Sequence, residues 1–235
     1  MTDPVKRDVG VVIVAGGSGT RTGGTELKQF RWVAGKPVLL HSLQTFMARA
    51  DVVSVVVVLP QAYAADPPPW IFQCDVDRLM ISTGGRTRTE SASNGLDDLP
   101  DEAEIVLVHD AARPLVGDAT IDRVIAAVRS GTSAIAALPV VDTLKETDVE
   151  KPGQITRTIE RDRLWRAQTP QGFPRELIVR VHREARSHHL SLTDDAALCE
   201  YFGYGVVVVQ GSERAVKITQ ESDFGLVEAL FPLPE

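Results

Sequence analysis

The sequence predicts an α/β domain: a mainly parallel, twisted sheet with helices on both faces, plus a projecting β-arm. Three observations predict it. Short β-branched runs recur at intervals too long for simple hairpins, segments of helical period fill those intervals, and one charged stretch breaks the alternation. With 235 residues, 43% of them hydrophobic, the chain can bury one substantial core, so residues 1–235 are read as a single domain.

The elements follow in order. "VVIVAG" (11–16) is an unbroken apolar run ending at glycine, as expected of a strand buried on both faces. "PVLLHSLQTFMARA" (37–50) has apolar residues at helical spacing with Pro37 in a start position. "VVSVVVVLP" (52–60) is a second buried strand, and "RLMIST" (78–83) a third that runs into Gly84 and Gly85. "TRTESASNGLDDL" (87–99) suits a helix, and "EIVLVHD" (104–110) is a strand with polar residues at its carboxyl end. "TIDRVIAAVRSG" (120–131) is an amphipathic helix stopped by Gly131. "SAIAALPV" (133–140) and "YGVVVVQG" (204–211) are further strands, and "SDFGLVEALF" (222–231) is a helix expected to be capped by Ser222.

Residues 142–169 break the rhythm. They are charged and contain Pro152-Gly153, and "QITRTI" and "RLWRAQT" alternate as paired strands do. The expectation is a long hairpin projecting from the sheet. Its apolar residues, Ile155, Ile159, Leu164 and Trp165, lie too far out for their own core. Arm exchange in a homodimer would bury them.

Composition narrows the function. No apolar run approaches the roughly 20 residues of a membrane span, so no membrane partner is expected. The opening "MTDPVKRDVG" lacks the apolar centre of a secretion signal, and Cys74 and Cys199 sit in no pairing motif. A cytoplasmic location with reduced thiols is the expectation. The net charge of -7 argues against a nucleic-acid partner while allowing a local basic pocket.

The stretch "GVVIVAGGSGTR" (10–21) ends a strand on glycines. It is not a dinucleotide fingerprint. Gly17 and Gly19 fit, but Thr22 occupies the third glycine position, and Pro60-Gln61 end the second strand where an acidic residue belongs. Nor is it a P-loop, since the only Gly-Lys, Gly35-Lys36, is followed by Pro37. What remains is a glycine turn followed by Arg21 and Lys28. Small residues let backbone N–H groups approach a phosphate chain, and the two cations neutralise it.

The pattern G-G-x-G-T-R followed by lysine resembles nucleotidyltransferases that join a nucleoside triphosphate to a phosphorylated sugar or polyol. "GGRTRTES" (84–91), "VHDAARP" (108–114), "DTLK" (142–145), "RAQTPQGF" (166–173) and "VKIT" (216–219) narrow it. Together, from about residue 9 to 230, the chain resembles the 2-C-methyl-D-erythritol 4-phosphate cytidylyltransferase family of the non-mevalonate isoprenoid pathway. The resemblance implies a Rossmann-like nucleotidyltransferase fold, CTP and a polyol phosphate as substrates, Mg2+ as cofactor and a homodimer.

It also implies roles for residues. Ala15, Gly16 and Gly17 would line the triphosphate, and Arg21 and Lys28 would stabilise the transition state at the α-phosphorus. Gly84, Gly85 and Ser91 would recognise cytosine. Asp110 would lie near ribose and the metal, with Ala111 beside it. Arg161 and Lys217 would position the polyol phosphate, with Thr143 and Thr169 as polar contacts. Thr143 and Arg161 would reach the neighbouring chain's site.

The chemistry suits these residue types. A phosphate monoester is already a nucleophile near neutral pH, so the site needs alignment and cations rather than a general base. The sequence departs from the family at Leu27, which stands for a proline, and at Arg214-Ala215, which stand for an acidic residue and asparagine. The first loop departs too, reading "VAGGSGTR" where the family has P-A-A-G-x-G-x-R. This keeps ribitol 5-phosphate cytidylyltransferase as an alternative. An inactive nucleotide-binding protein is a second, against which Arg21, Lys28, Arg161 and Lys217 count. His41, His188 and His189 lack metal-ligand company, His109 is expected to shape the strand end, Asp194-Asp195 to open a helix, and Trp165 to pack in the arm.

Overall fold

The computed structural model describes residues 5–16 and 27–233. In chain order the elements are β1 (Val9–Val14), β2 (Trp32–Val33), β3 (Lys36–Pro37), α1 (Val38–Met47), β4 (Val52–Leu59), α2 (Gln61–Ala65), β5 (Leu79–Thr83), α3 (Arg88–Asp97) and β6 (Ile105–Asp110). There follow α4 (Asp118–Arg129), β7 (Ser133–Pro139), β8 (Leu144–Thr147), β9 (Ile155–Ile159), β10 (Trp165–Pro174), α5 (Arg175–Ser187), α6 (Asp195–Tyr201), β11 (Val206–Gln210) and α7 (Ser222–Leu230).

Seven strands form one sheet in the order β11-β7-β10-β6-β1-β4-β5. Neighbours run parallel except at β10, which is antiparallel to both β6 and β7. The alternation of side chains along each strand explains why both faces are covered. Val11, Ile13, Val55 and Val57 pack with α1 and α4 through Leu43, Phe46 and Ile121, whereas Val12, Val56 and Val58 pack with α3, α5 and α6 through Leu96, Val181 and Leu198. Helix α3 lies so close to the sheet that a Cβ at Gly95 would stand 2.5 Å from Val12 Cγ1. Glycine is required there for contact. A third, smaller cluster joins α7 to the β2–β3 ribbon through Val33, Ile218 and Phe224.

The arm is built differently from the sequence expectation. Ile155–Ile159 pairs with Leu144–Thr147, not with 163–169, and its tip is held by Asp148, whose Oδ1 accepts the N–H groups of Glu150 and Lys151. Residues 165–174 instead enter the central sheet as β10. That stretch carries Thr, Pro, Gln and Gly, which read as turn residues. Its buried polar groups are satisfied singly: Gln168 exchanges hydrogen bonds with the Ser212 backbone, and Gln171 serves the start of α6. The projecting part is therefore shorter than 142–169. Trp165 opens β10 opposite Pro139.

Two further details differ. Helix α5 buries Ile178, Val181, His182 and Ala185 on one face and lies outside the elements read from the sequence. Ser222 starts α7 without capping it. The next residue, Asp223, does the bonding: Oδ2 accepts the N–H groups of Thr219 at 2.7 Å and Gln220 at 2.9 Å. Helix α6 does begin as expected, with the Asp194 side chain accepting the N–H of Ala197 at 2.9 Å. Both cysteines are free thiols, and burial pushes Cys199 up to about 12.

Candidate active site

Strands β1 and β6 are adjacent, with Val14 opposite Asp110. The chain leaves β1 toward β4 on one side and returns to β6 on the other, so the crevice outside their carboxyl ends is a topological switch point. A cavity of about 460 Å³ opens there. Its walls are the end of β1 (Ala15, Gly16), the β5–α3 loop (Gly85 to Arg88, with Ser91), the end of β6 (Asp110, Ala111), Lys28 and Lys217.

The two glycine-bearing loops touch. A Cβ at Gly16 would meet Ser91 Oγ at 3.0 Å, and one at Gly84 would meet the Leu59 carbonyl oxygen at 3.2 Å and Gly16 Cα at 3.5 Å. The Gly84 N–H donates to the Leu59 carbonyl at 2.7 Å, extending the sheet into the loop. Ser91 Oγ donates to the Thr87 carbonyl at 2.8 Å and accepts the Gly85 N–H at 3.1 Å. Thr87 Oγ1 caps α3 by accepting the Glu90 N–H, while Glu90 reaches back to accept the Arg86 N–H at 2.7 Å. The loop is thus fixed by its own helix. Gln29, buried and absent from the sequence-based set, pins the other loop by donating to the Ala15 carbonyl.

Charge concentrates at Asp110. Lys217 Nζ meets its Oδ2 at 2.6 Å, and Arg88 Nε meets its Oδ1 at 3.2 Å. Burial alone would raise this carboxyl, but Arg88 and Lys217 outweigh it and hold the group well below the usual carboxylate range. Behind it, the Asp110 N–H donates to Thr169 Oγ1 at 3.1 Å, and Thr169 Oγ1 lies 3.0 Å from His109 Nδ1. His109 Nε2 faces the Arg113 carbonyl, which can only accept, so Nε2 carries the hydrogen and Nδ1 accepts from Thr169. Burial pushes His109 down to about 4, so the ring is neutral. Thr169 braces the strand end from behind and does not line the cavity.

The remaining positions divide. Lys28 lines the cavity and donates to the Ile218 carbonyl at 2.9 Å, tying it to the segment that carries Lys217. Arg113 fastens that segment too, through the Ala215 carbonyl at 2.7 Å. Thr143 and Arg161 are exposed on the arm, where Arg161 bonds the Val141 carbonyl, and neither lines the cavity of its own chain. Gly17 and Arg21 lie outside the described residues. His41 bonds the Val33 carbonyl from α1.

Arg88, like Gln29, was missed by sequence reasoning. Its signal was present: it is the arginine of the G-G-x-x-R-x-x-S spacing, three residues before Ser91 and on the same helix face. Besides Asp110 it pairs with Asp195, Nη1 to Oδ2, at 2.7 Å. Among the described residues Asp110 is the only carboxylate lining the cavity, against the cations Lys28, Arg86, Arg88 and Lys217. A basic pocket on an acidic chain suits a polyphosphate.

The family model for 2-C-methyl-D-erythritol 4-phosphate cytidylyltransferase (IspD) matches residues 9–232. An enzyme of that name from Salinibacter ruber is 40% identical over 226 residues, 94% of this chain and 92% of the relative. Another from Streptomyces coelicolor is 42% identical over 230 residues, 93% and 83% of the two chains. The crystal structure of the cytidylyltransferase from Thermus thermophilus superposes with a TM-score of 0.80 at 33% identity, covering 96% of this chain and all of the other. A match over nearly the whole chain, at this identity and with this fold, means that the chain belongs to the 2-C-methyl-D-erythritol 4-phosphate cytidylyltransferase family.

Proposed function

We infer that this chain transfers a cytidylyl group from CTP to 2-C-methyl-D-erythritol 4-phosphate, giving 4-diphosphocytidyl-2-C-methyl-D-erythritol and pyrophosphate. The observation that carries this reading is the convergence of Lys28, Lys217 and Asp110 on the glycine-bearing loops of one cavity. The polyol phosphate attacks the α-phosphorus in line with the departing pyrophosphate. Charge then gathers on the phosphoryl oxygens, where Lys28 stabilises it together with Arg21. Lys217, held by Asp110, orients the incoming phosphate. Cytosine sits against the loop of Gly84 and Gly85 that Ser91 holds in shape.

A magnesium ion fits this cavity. The ion prefers one or two carboxylates with the rest of its shell from water and substrate phosphates, and Asp110 is a single, fully ionised carboxylate among cations that a triphosphate would engage. Asp110 would hold it, and the ion would supply further neutralisation of the phosphate oxygens.

The arm completes a partner's site in a homodimer. Leu144, Val149 and Ile155 are exposed apolar residues on it, and the Thr143 and Arg161 side chains do not line the cavity of their own chain. Among the described residues no helix is long and apolar enough to cross a membrane.

Pyrophosphate release from CTP and magnesium, measured with each polyol phosphate in turn, tests the reading. Preferential turnover of ribitol 5-phosphate would transfer the chain to the rival activity. No release with either acceptor would remove the reaction class.

A further inference from the structure

Asp195 is completely buried at the start of α6, and its two carboxylate oxygens have different partners. Oδ2 accepts Arg88 Nη1 at 2.7 Å. Oδ1 accepts Nε2 of His182, which comes from α5 and is itself 2% exposed, at 3.0 Å. Arg88 in turn keeps Nε on Asp110 Oδ1, while its Nη2 is buried without a hydrogen-bond partner among the described residues. One guanidinium is therefore shared between two carboxylates, one structural and one in the cavity.

That sharing is not what two buried ions would choose alone. A guanidinium and a carboxylate favour two parallel N–H···O bonds. Nη2 lacks an acceptor, so an Asp195 with both oxygens available would take Nη1 and Nη2 together. Doing so would turn Nε away from Asp110. What prevents it is the second hydrogen bond, which commits Oδ1 to His182. We propose that His182 is a positioning residue: by occupying one oxygen of Asp195 it keeps Arg88 divided between Asp195 and Asp110, and so fixes the cavity carboxylate that holds Lys217.

The inference rests on the reading of this cavity as the cytidylyl-transfer site. It assigns work to a histidine on the far side of α3, which touches neither substrate nor Asp110. Because the effect passes through orientation, it falls on turnover more than on CTP affinity. His182→Leu removes the donor, while His182→Gln places an amide N–H where Nε2 stood. The expected result is a drop of about tenfold in kcat for His182→Leu at nearly unchanged KM for CTP, the scale typical of outer-shell partners. His182→Gln should stay within about threefold of the parent.

Equal loss in both variants, tracking their thermal melting, would overturn the proposal by reducing His182 to packing. So would full kcat in His182→Leu. Should His182→Leu fail to fold, nitrogen-15 NMR of the histidines in the parent protein decides. The Nε2-protonated form is expected, with an Nε2 resonance that shifts on CTP binding although no ligand reaches the ring. A resonance indifferent to CTP overturns the chain of contacts. A parent protein that binds CTP but releases no pyrophosphate would instead sink the functional reading, and the NMR result would still judge His182.

Discussion

Lys217 and Asp110 lie 107 residues apart in the chain and 2.6 Å apart in the fold. The lysine is 36% exposed and the aspartate side chain 12%. The lysine end is open to solvent and Arg88 remains on Asp110 without it, so the pair contributes about 1 kcal/mol to stability. Correct placement of the attacking phosphate is worth roughly 3 kcal/mol of the barrier. Lys217→Met is therefore expected to lower kcat/KM about a hundredfold while leaving the melting temperature within a few degrees. Steady-state kinetics and calorimetry on one preparation check both. A variant that melts early and turns over normally would make the pair structural.

Arg88 behaves in the opposite way. It bridges two carboxylates, one fully buried. Arg88→Leu leaves Asp195 with only its His182 hydrogen bond and Asp110 with only Lys217, at a cost of about 3 kcal/mol. Without the cation, burial raises both carboxyls, and protonation relieves the penalty. The deficit relative to the parent is then largest at neutral pH and narrows as pH falls through the carboxylate range. Urea unfolding at several pH values measures it. A deficit that stays constant with pH would mean the pairings do not carry Arg88's contribution.

Ser91 uses its hydroxyl as donor to Thr87 and acceptor from Gly85. Ser91→Ala is expected to loosen the loop and reduce the preference for CTP over UTP about tenfold, the scale of modest pocket changes in discrimination. Competition between the two nucleotides gives the ratio directly. An unchanged ratio would place base recognition elsewhere.

Arg161 stands on the arm and Lys28 in the cavity, so one chain's own Arg161 and Lys28 serve different composite sites if arms are exchanged. An Arg161→Ala chain and a Lys28→Ala chain, each inactive alone, should regain activity when mixed. One of the two sites in each heterodimer would carry neither lesion. Confirmed subunit exchange without recovery would show that the arm serves its own chain.

His109 imposes an acid limit on stability. Its folded value of about 4 lies below the ordinary 6.5, so the unfolded chain binds the proton more readily. The sign follows: the contribution is complete above about pH 6.5 and is lost as pH falls through about 4, on the order of 3 kcal/mol in all. His109→Gln should flatten that part of the stability profile. Equal slopes in parent and variant would place the acid sensitivity on other groups.

The parallel half of the fold was legible because buried strands such as Val52–Leu59 leave uninterrupted apolar runs, and because loop glycines stand where those runs stop. Residues 165–174 were not, since their burial depends on partners for Gln168 and Gln171 that lie 44 and about 24 residues away. In the cavity, Gly16, Gly85, Ser91, Asp110 and Lys217 could be placed from motif spacing. Arg88 stands in the same motif as Ser91, but its role comes from Asp110 and Asp195, which only the folded chain brings together. Gln29 and His182 carry no local signal, because the hydrogen bonds to Ala15 and Asp195 that give them a role close only in the folded chain.

The reversed strand β10 also sets an order of assembly. By the time residue 110 has left the ribosome, β1, β4, β5 and β6 can pair among themselves as one half-sheet, since all their mutual neighbours have been made. Strand β7 has no such neighbour. Its two partners are β10 and β11, so Ser133–Pro139 has no strand to pair with until the arm and then residues 165–174 have been synthesised. The second half of the sheet, and the bracing of Asp110 by Thr169 with it, is therefore a late event in the life of each new chain.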